Sequence, residues 1–330
     1  GFELGLFNNR IRLEGDFYDS QSLDLLLNVP VPTITGYSTQ MQNIGKVQNR
    51  GMEFTLNTKN LTGEFAWSSN FNISFNKNKV LEVGVDGRPI YGSAANANNA
   101  FITKPGYPIA SFYGYKYIGV FQSEEELAKY PHLSGDKVGD GRYEDVNKDG
   151  VLDQNDKTIL GDNNPLFTAG FSNSFSYKNF TLDIQFTGSY GAEVFSFYKR
   201  MCGIYHGDRN GMIEQLGRWQ SKDQPGDGIH FRPTRTPSGW QRDPSSAWVQ
   251  DASYLRLRNL TLGYNFDQKV LDKMKMKGLR LYVTGQNLFT ITNYVGYDPE
   301  TSSESGLAQG GDYLGYPAAR SFIIGANITF

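Results

Sequence analysis

The dominant pattern in this chain is a period of two. Between Glu64 and Asn76, the apolar residues Phe65, Trp67, Phe71, Ile73 and Phe75 are offset by one from Glu64, Ser68, Asn70, Asn72, Ser74 and Asn76. Successive side chains of a strand point to opposite faces, so this segment is predicted to have one apolar and one polar face. The same alternation predicts strands at Phe2–Phe7, Arg10–Asp19, Gly45–Thr58, Leu166–Tyr177, Phe180–Tyr190, Tyr254–Phe266, Leu279–Phe289 and Arg320–Phe330. In Tyr254–Phe266 the phase slips between Leu257 and Leu260, which predicts either a bulge or the point where the strand leaves the membrane. Asn8-Asn9, Asn60–Gly63, Lys178-Asn179 and a short helix over Asp267–Lys277 make the short connections. They alternate with long excursions at about 20–44, 77–165, 191–250 and 290–319.

Alternation with this sidedness points to an all-β fold, an antiparallel transmembrane β-barrel. Such a wall needs an apolar outside and a polar lumen, with short turns at one rim and long loops at the other. A soluble β-sandwich also alternates, but it predicts turn signals every 8–12 residues or so and no sidedness. Excursions of tens of residues make poor sandwich loops. The mean hydropathy is −0.48, and no run of about 18 apolar residues occurs, which excludes a membrane-spanning helix. It does not exclude a barrel, whose strands are half polar. The predicted strand count is odd, whereas bacterial single-chain barrels have even counts. The first residues, Phe2, Leu4 and Leu6, already alternate, and no signal-sequence pattern precedes them. Both observations predict that these strands are part of a larger barrel in a longer protein.

The last strand places Phe322, Ile324, Ala326, Ile328 and Phe330 on one face and ends the chain in Phe. It resembles the signal read by the outer-membrane barrel assembly machinery, carried by Phe322, Ile324, Ile328 and Phe330. Asn43-Ile-Gly-Lys-Val-Gln-Asn-Arg-Gly-Met-Glu53 resembles a strand of TonB-dependent receptors of the SusC/RagA family. Tyr254-Leu-Arg-Leu-Arg-Asn-Leu-Thr-Leu-Gly-Tyr264, Gly285-Gln-Asn-Leu-Phe289 and Tyr316-Pro-Ala-Ala-Arg320 resemble further segments of that family, in the family's order. The resemblance spans essentially the whole chain. It implies the C-terminal part of a barrel of about 22 strands, with the N-terminal plug and TonB box outside this sequence. It further implies TonB-dependent import of oligosaccharides or peptides across the outer membrane. The implied partners are TonB, a SusD-like surface lipoprotein as lid, and outer-membrane lipid. The motif residues are expected to be architectural.

One segment of the second excursion carries chemistry of its own. Asp145-Val-Asn147-Lys-Asp149-Gly150-Val151-Leu-Asp153-Gln-Asn-Asp156 offers oxygen donors at loop positions 1, 3, 5, 9 and 12, a glycine at 6 and the Val151 carbonyl at 7. That spacing of hard oxygen donors predicts a structural Ca²⁺, with Mg²⁺ second, pinning the loop. Asp156 stands where an EF-hand has glutamate, and its shorter reach makes bidentate ligation harder. The alternative is a metal-free Asp/Asn/Gly turn.

The remaining chemistry is sparse. Net charge is −2, from 32 Lys and Arg against 34 Asp and Glu, so no nucleic-acid partner is expected. The single cysteine, Cys202, rules out an internal disulfide. His132, His206 and His230 lack zinc-site spacing. No nucleophile elbow or phosphate loop occurs, and the chain is not expected to be an enzyme. Tyr198, Tyr205, Trp219, Trp240 and Trp248 are the substrate-binding candidates, because aromatic faces stack on sugars or pack against peptide side chains; internal loop packing or a place in the membrane-interface girdle is the competing reading. A short surface helix is predicted over Glu124–Tyr130. The reading from a different functional class is a soluble calcium-dependent glycan-binding β-domain, and a passive porin is a third.

Overall fold

A computed structural model gives the structure of residues 1–30, 34, 36, 39–83, 87–94, 97–203, 210–233, 243–301 and 306–330. Four wall strands come first: β1 (Phe2–Leu6), β2 (Ile11–Pro30), β3 (Thr39–Leu61) and β4 (Phe65–Val83). Loop strands β5 (Ile90–Ala94), β6 (Ala97–Thr103), β7 (Ser111–Gly114), β8 (Tyr117–Val120), β9 (Gly141–Tyr143) and β10 (Thr158–Gly161) follow. The wall resumes with β11 (Phe167–Tyr177) and β12 (Phe180–Tyr190). Loop strands β13 (Glu193–Ser196) and β14 (Val249–Asp251) precede wall strands β15 (Tyr254–Asn265) and β16 (Gly278–Thr292). Loop strand β17 (Gly311–Asp312) and wall strand β18 (Ser321–Thr329) end the series. The wall is one 9-stranded sheet in the order β1-β2-β3-β4-β11-β12-β15-β16-β18, so each wall strand pairs with the next wall strand in sequence. Every one of these pairings is antiparallel.

Every strand expected from the alternation lies in this sheet, and the register puts like residues side by side. Phe71 pairs with Phe171 and Phe171 with Phe186; Phe175 sits between Trp67 and Leu182. Their rings meet across strands, at 6.4 Å for Phe71–Phe171 and 5.7 Å for Trp67–Phe175. Among the described residues, no protein layer covers this apolar face: Phe322 is 72% and Ile324 85% exposed, and Phe17, Met52, Phe65, Phe180 and Leu262 are exposed too. A soluble sheet would cover such a surface; a barrel wall turns it to lipid. Asn173 and its neighbour Ser69 are polar residues on this face. Asn173 is buried, and its side-chain oxygen accepts bonds from Trp67 Nε1 at 2.9 Å and Ser69 Oγ at 2.7 Å. Where no water competes, such satisfaction is what makes a buried amide tolerable.

Two differences from the sequence reading have physical causes. First, 20–44 is mostly strand and not loop: β2 runs to Pro30 and β3 starts at Thr39, while β4 continues to Val83. Above the apolar row Phe17–Met52–Phe75, the next outward row is Asp19–Arg50–Lys77. Gln48 donates to Asp19 at 2.7 Å, and Arg50 lies 3.5 Å from Asp19. Backbone pairing persists beyond the lipid band, but the demand for apolar residues does not, so the alternation fades there. Second, the excursions carry sheets of their own, β10-β7-β6-β5, β14-β13-β17 and β8-β9. These strands are only 2–7 residues long, and β6, β7 and β13 are largely buried along their length, which leaves little period-two trace in the sequence.

The loop sheets share a core. Phe101, Phe112, Phe195, Phe197, Phe231 and Trp248 are buried together, drawn from separate excursions. Each such side chain contributes about 1.5–3 kcal/mol on burial. Close backbone approach ties the excursions further: Tyr115 N–H donates to the Pro244 carbonyl at 2.9 Å, and a β-carbon at Gly114 would collide with that carbonyl. Helix α1 (Glu124–Lys129) is capped by Ser123, whose hydroxyl accepts from Glu126 N–H at 3.2 Å. Helix α2 (Phe197–Gly203) lies in the third excursion, and α3 (Gln268–Met274) makes the short link between β15 and β16.

Candidate luminal and extracellular site

The phase slip in β15 is a bulge. Against β16 the register jumps between Leu257 and Asn259, and against β12 it jumps at the same place. Against β12, Arg258 is the extra residue; against β16, it lies opposite two residues, Asn287 and Leu288. The bulge returns Leu260, Leu262 and Tyr264 to the apolar face while leaving Arg256 and Arg258 on the polar one. Arg256 is 2% exposed and forks onto the last excursion. Its Nη2 donates to Asp298 Oδ1 at 2.6 Å, its Nη1 to Glu300 Oε2, and its Nε to Thr290 Oγ1 at 2.9 Å. Arg258 Nη2 reaches Glu300 Oε1 at 2.9 Å, and the Tyr254 hydroxyl donates to the same oxygen at 2.7 Å. Asp298 also accepts the backbone N–H groups of Glu300 at 3.0 Å and Ala318 at 2.9 Å. A second buried carboxylate, Asp312, accepts from the Tyr294 hydroxyl, from Thr301 Oγ1 at 3.2 Å and from Gly315 N–H at 3.1 Å. Arg256 and Arg258 therefore latch the 290–319 excursion to the polar face of the wall through Asp298 and Glu300, while Asp312 ties the excursion to itself.

Burial by itself would raise the Asp298 pKa, but the Ala318 and Glu300 N–H groups and Arg256 outweigh it and hold the carboxyl below its ordinary value. A folded-state pKa below the unfolded one means the contribution is complete above the ordinary carboxylate pKa. It is lost as pH falls through the lower, folded value. A nitroxide on exposed Val295 is accordingly expected to stay ordered at neutral pH and to gain mobility well below pH ~4. A spectrum that does not change over that range would contradict the latch.

The predicted cation loop is a tightly bonded turn. Lys148 and Gly150 adopt φ of 61° and 84°, and the side chains of the odd positions hold the backbone. Asp145 Oδ2 accepts Gly150 N–H at 2.9 Å, Asn147 Oδ1 accepts Asp149 N–H at 3.0 Å, and Asp149 Oδ1 accepts Val151 N–H at 2.8 Å. Asp153 Oδ1 accepts Asn155 N–H at 2.7 Å. Asp156 is fully buried, and its two oxygens accept the N–H groups of Val146 at 2.9 Å and Asp153 at 2.8 Å. It closes the loop on itself. Asp145 Oδ1 is buried with no hydrogen-bond partner, an oxygen left over that a cation would satisfy. Among the described residues, no group of three or more His, Cys, Asp or Glu is arranged to hold a metal, so any cation would depend on the Asn147 amide and backbone carbonyls as well.

The aromatic candidates separate. Trp248 is 3% exposed and packs edge-to-face on Phe231, so it belongs to the loop core, and the expectation that it contacts substrate is corrected. Trp219 is half-buried against the same core. Tyr198 remains accessible and faces Tyr297, ring centroids 6.0 Å apart. Tyr205, Trp240 and His206 lie outside the described residues. His132 and His230 are far from each other in bonding: His132 contacts the Tyr130 carbonyl at 2.9 Å, and His230 contacts Asp227 at 2.6 Å. Phe322, Ile324, Ile328 and Phe330 all project from the apolar face of β18. The latch was missed from sequence, although two arginines beside a phase slip and the Asp298-Pro299-Glu300 run were visible signals.

No protein-family model matches the chain. Whole-chain relatives do. TonB-dependent receptor P3 of Formosa agariphila is 36% identical over 342 residues, covering 100% of this chain and 33% of its own length. Along its whole length the chain is similar to TonB-dependent receptors. TonB-dependent receptor SusC of Bacteroides thetaiotaomicron is 29% identical over 341 residues, again across 100% of this chain. The solved structure of the RagAB peptide transporter superposes with a TM-score of 0.80 at 23% identity, covering 99% of this chain and 34% of that one. At that identity the superposition speaks for the fold. The chain spans about a third of the length of the relatives it matches, and its nine antiparallel wall strands have the fold of a barrel segment.

Proposed function

We propose that this chain supplies part of the barrel wall and the extracellular loops of a TonB-dependent importer of oligosaccharides or peptides. The observation carrying this reading is the antiparallel wall with an uncovered apolar face, matched along its whole length to TonB-dependent receptors. Import proceeds by gated passage through the polar lumen after TonB displaces a plug, with a SusD-like lipoprotein closing the extracellular mouth. The latch holds the 290–319 loop at the wall, and Tyr198 with Tyr297 is the aromatic pair best placed to meet cargo. The test uses the full-length receptor in its own cells. Uptake of a fluorescent peptide or oligosaccharide library should vanish on deletion of the receptor and on deletion of TonB. Uptake that persists without TonB would point to a passive pore, and a receptor extracted without detergent would point to the soluble glycan-binding reading.

The same reading assigns a structural Ca²⁺ to Asp145, Asn147, Asp149, the Val151 carbonyl, Asp153 and Asp156, on the strength of the donor spacing and the orphaned Asp145 oxygen. Extracellular calcium modules bind in the range of about 10⁻⁴–10⁻³ M. Calcium is expected to slow proteolysis of the 130–165 segment in the full-length receptor, and Asp145→Ala to abolish that protection. Protection indifferent to calcium and to EDTA would leave the loop as a metal-free turn.

A further inference from the structure

The apolar face of the wall is not uniform. Two aromatic rows cross it, Phe75–Phe167–Tyr190 above and Phe71–Phe171–Phe186 below. The row between them, Ile73–Ala169–Gly188–Leu255, carries almost no side chain at its centre. The result is an open groove of about 450 Å³ on the outward surface, lined chiefly by apolar atoms. Two residues further along β4 from Phe75, the outward positions turn basic: Lys77 and Lys79 are exposed and have no ion-pair partner among the described residues. Arg50 stands beside Lys77 in the same row, paired to Asp19 at 3.5 Å. These cations border a second recess of about 720 Å³ that shares Phe75 with the upper aromatic row. Asp162 also lines it, but its Oδ1 is occupied by the Asn164 N–H and side-chain amide.

We infer that this surface is a binding site for one phosphate-bearing lipid of the outer leaflet, acyl chain in the groove and phosphate at Lys77, Lys79 and Arg50. The groove is continuous with the lipid-facing band. It lies at the long-loop end of the strands, about eight residues or roughly 26 Å of strand above the Lys178-Asn179 turn, which at barrel tilt falls within the upper half of a ~25 Å apolar band. The basic row sits where headgroups begin. A chain seated between the two aromatic rows gains dispersion contacts on three sides that a flat wall does not offer. Juxtamembrane cations add attraction for an anionic headgroup. The inference rests on the barrel placement of the sheet and is independent of whether the receptor imports anything.

The experiment is native mass spectrometry of the full-length receptor in mixed micelles containing either phosphatidylglycerol or phosphatidylcholine. The wild-type receptor is expected to retain one phosphatidylglycerol at least about tenfold more strongly than phosphatidylcholine, as two cations near the surface allow. Lys77→Gln with Lys79→Gln should erase that preference. Ala169→Phe, which fills the groove, should weaken retention of both lipids by roughly tenfold, the loss of about two buried methylenes. Ile184→Phe, on the flat part of the same face, should change neither and shows that the added ring alone is harmless. Equal retention by wild type and Ala169→Phe would overturn the site. So would a stable receptor dimer that Ala169→Phe converts to monomer, because the groove would then be a protein interface.

Discussion

Replacing Arg256 with methionine is expected to free the 290–319 loop while leaving the wall assembled. Arg256 is nearly inaccessible to solvent and holds Asp298 and Glu300 together. Removing it leaves a buried carboxylate, Asp298, without its counter-charge, although two backbone N–H groups still hold it. Breaking a buried pair from one side costs about 3–5 kcal/mol, most of it the penalty on the partner left behind. The loop has a cheaper response than tolerating that charge: it can swing out and solvate it. Hydrogen exchange should therefore rise across 293–318 and stay unchanged in β11 and β12, with normal heat-modifiable migration of the receptor. Asp298→Asn in the Arg256→Met background should recover part of the protection, since a neutral amide needs no counter-charge. Unchanged exchange in the single variant would show that Asp312 and its partners hold the loop alone.

The second large effect separates the two faces of one strand. Phe171→Arg places a charge on the apolar face between Phe71 and Phe186. An arginine at the bilayer midplane costs a barrel about 2–4 kcal/mol, and assembly yield is expected to fall steeply. Ser172→Arg, one residue along, points to the polar face beside an open recess of about 530 Å³. It should assemble with near-normal yield and alter only passage through the lumen. Comparable losses in both variants would mean that this strand does not separate lipid from water.

The wall was readable because lipid imposes a rule on alternate residues and the rule is local. Phe65, Phe71 and Phe75 announce their face without reference to any partner strand. The bulge at Arg258 was readable for the same reason, as a break in phase. Beyond the charged row Asp19–Arg50–Lys77 the rule lapses, and residues 20–30 of β2 and 39–44 of β3 read as loop. The loop core was hidden for a different reason. Phe101, Phe195, Phe231 and Trp248 come together from distant excursions, so their burial depends on tertiary neighbours and not on spacing. Spacing left Trp248 open between substrate contact, the interface girdle and loop packing, because nothing nearby in sequence marks it as interior. The Asp145–Asp156 loop was legible as donor spacing, yet the structure adds what spacing could not: Asp156 spends its oxygens closing the turn, and Asp145 keeps one in reserve.

The account stands on β11 having one face in lipid and one in water. The most direct measurement is a nitroxide scan of residues 168–176 in the full-length receptor in bilayers, reading collision with oxygen against collision with a water-soluble nickel chelate. Oxygen accessibility should peak at Ala169, Phe171 and Phe175, and chelate accessibility at Thr168, Ser172 and Ser174, with Asn173 low in both. A scan without that period of two, or with the chelate reaching Phe171 and Phe175, would contradict it.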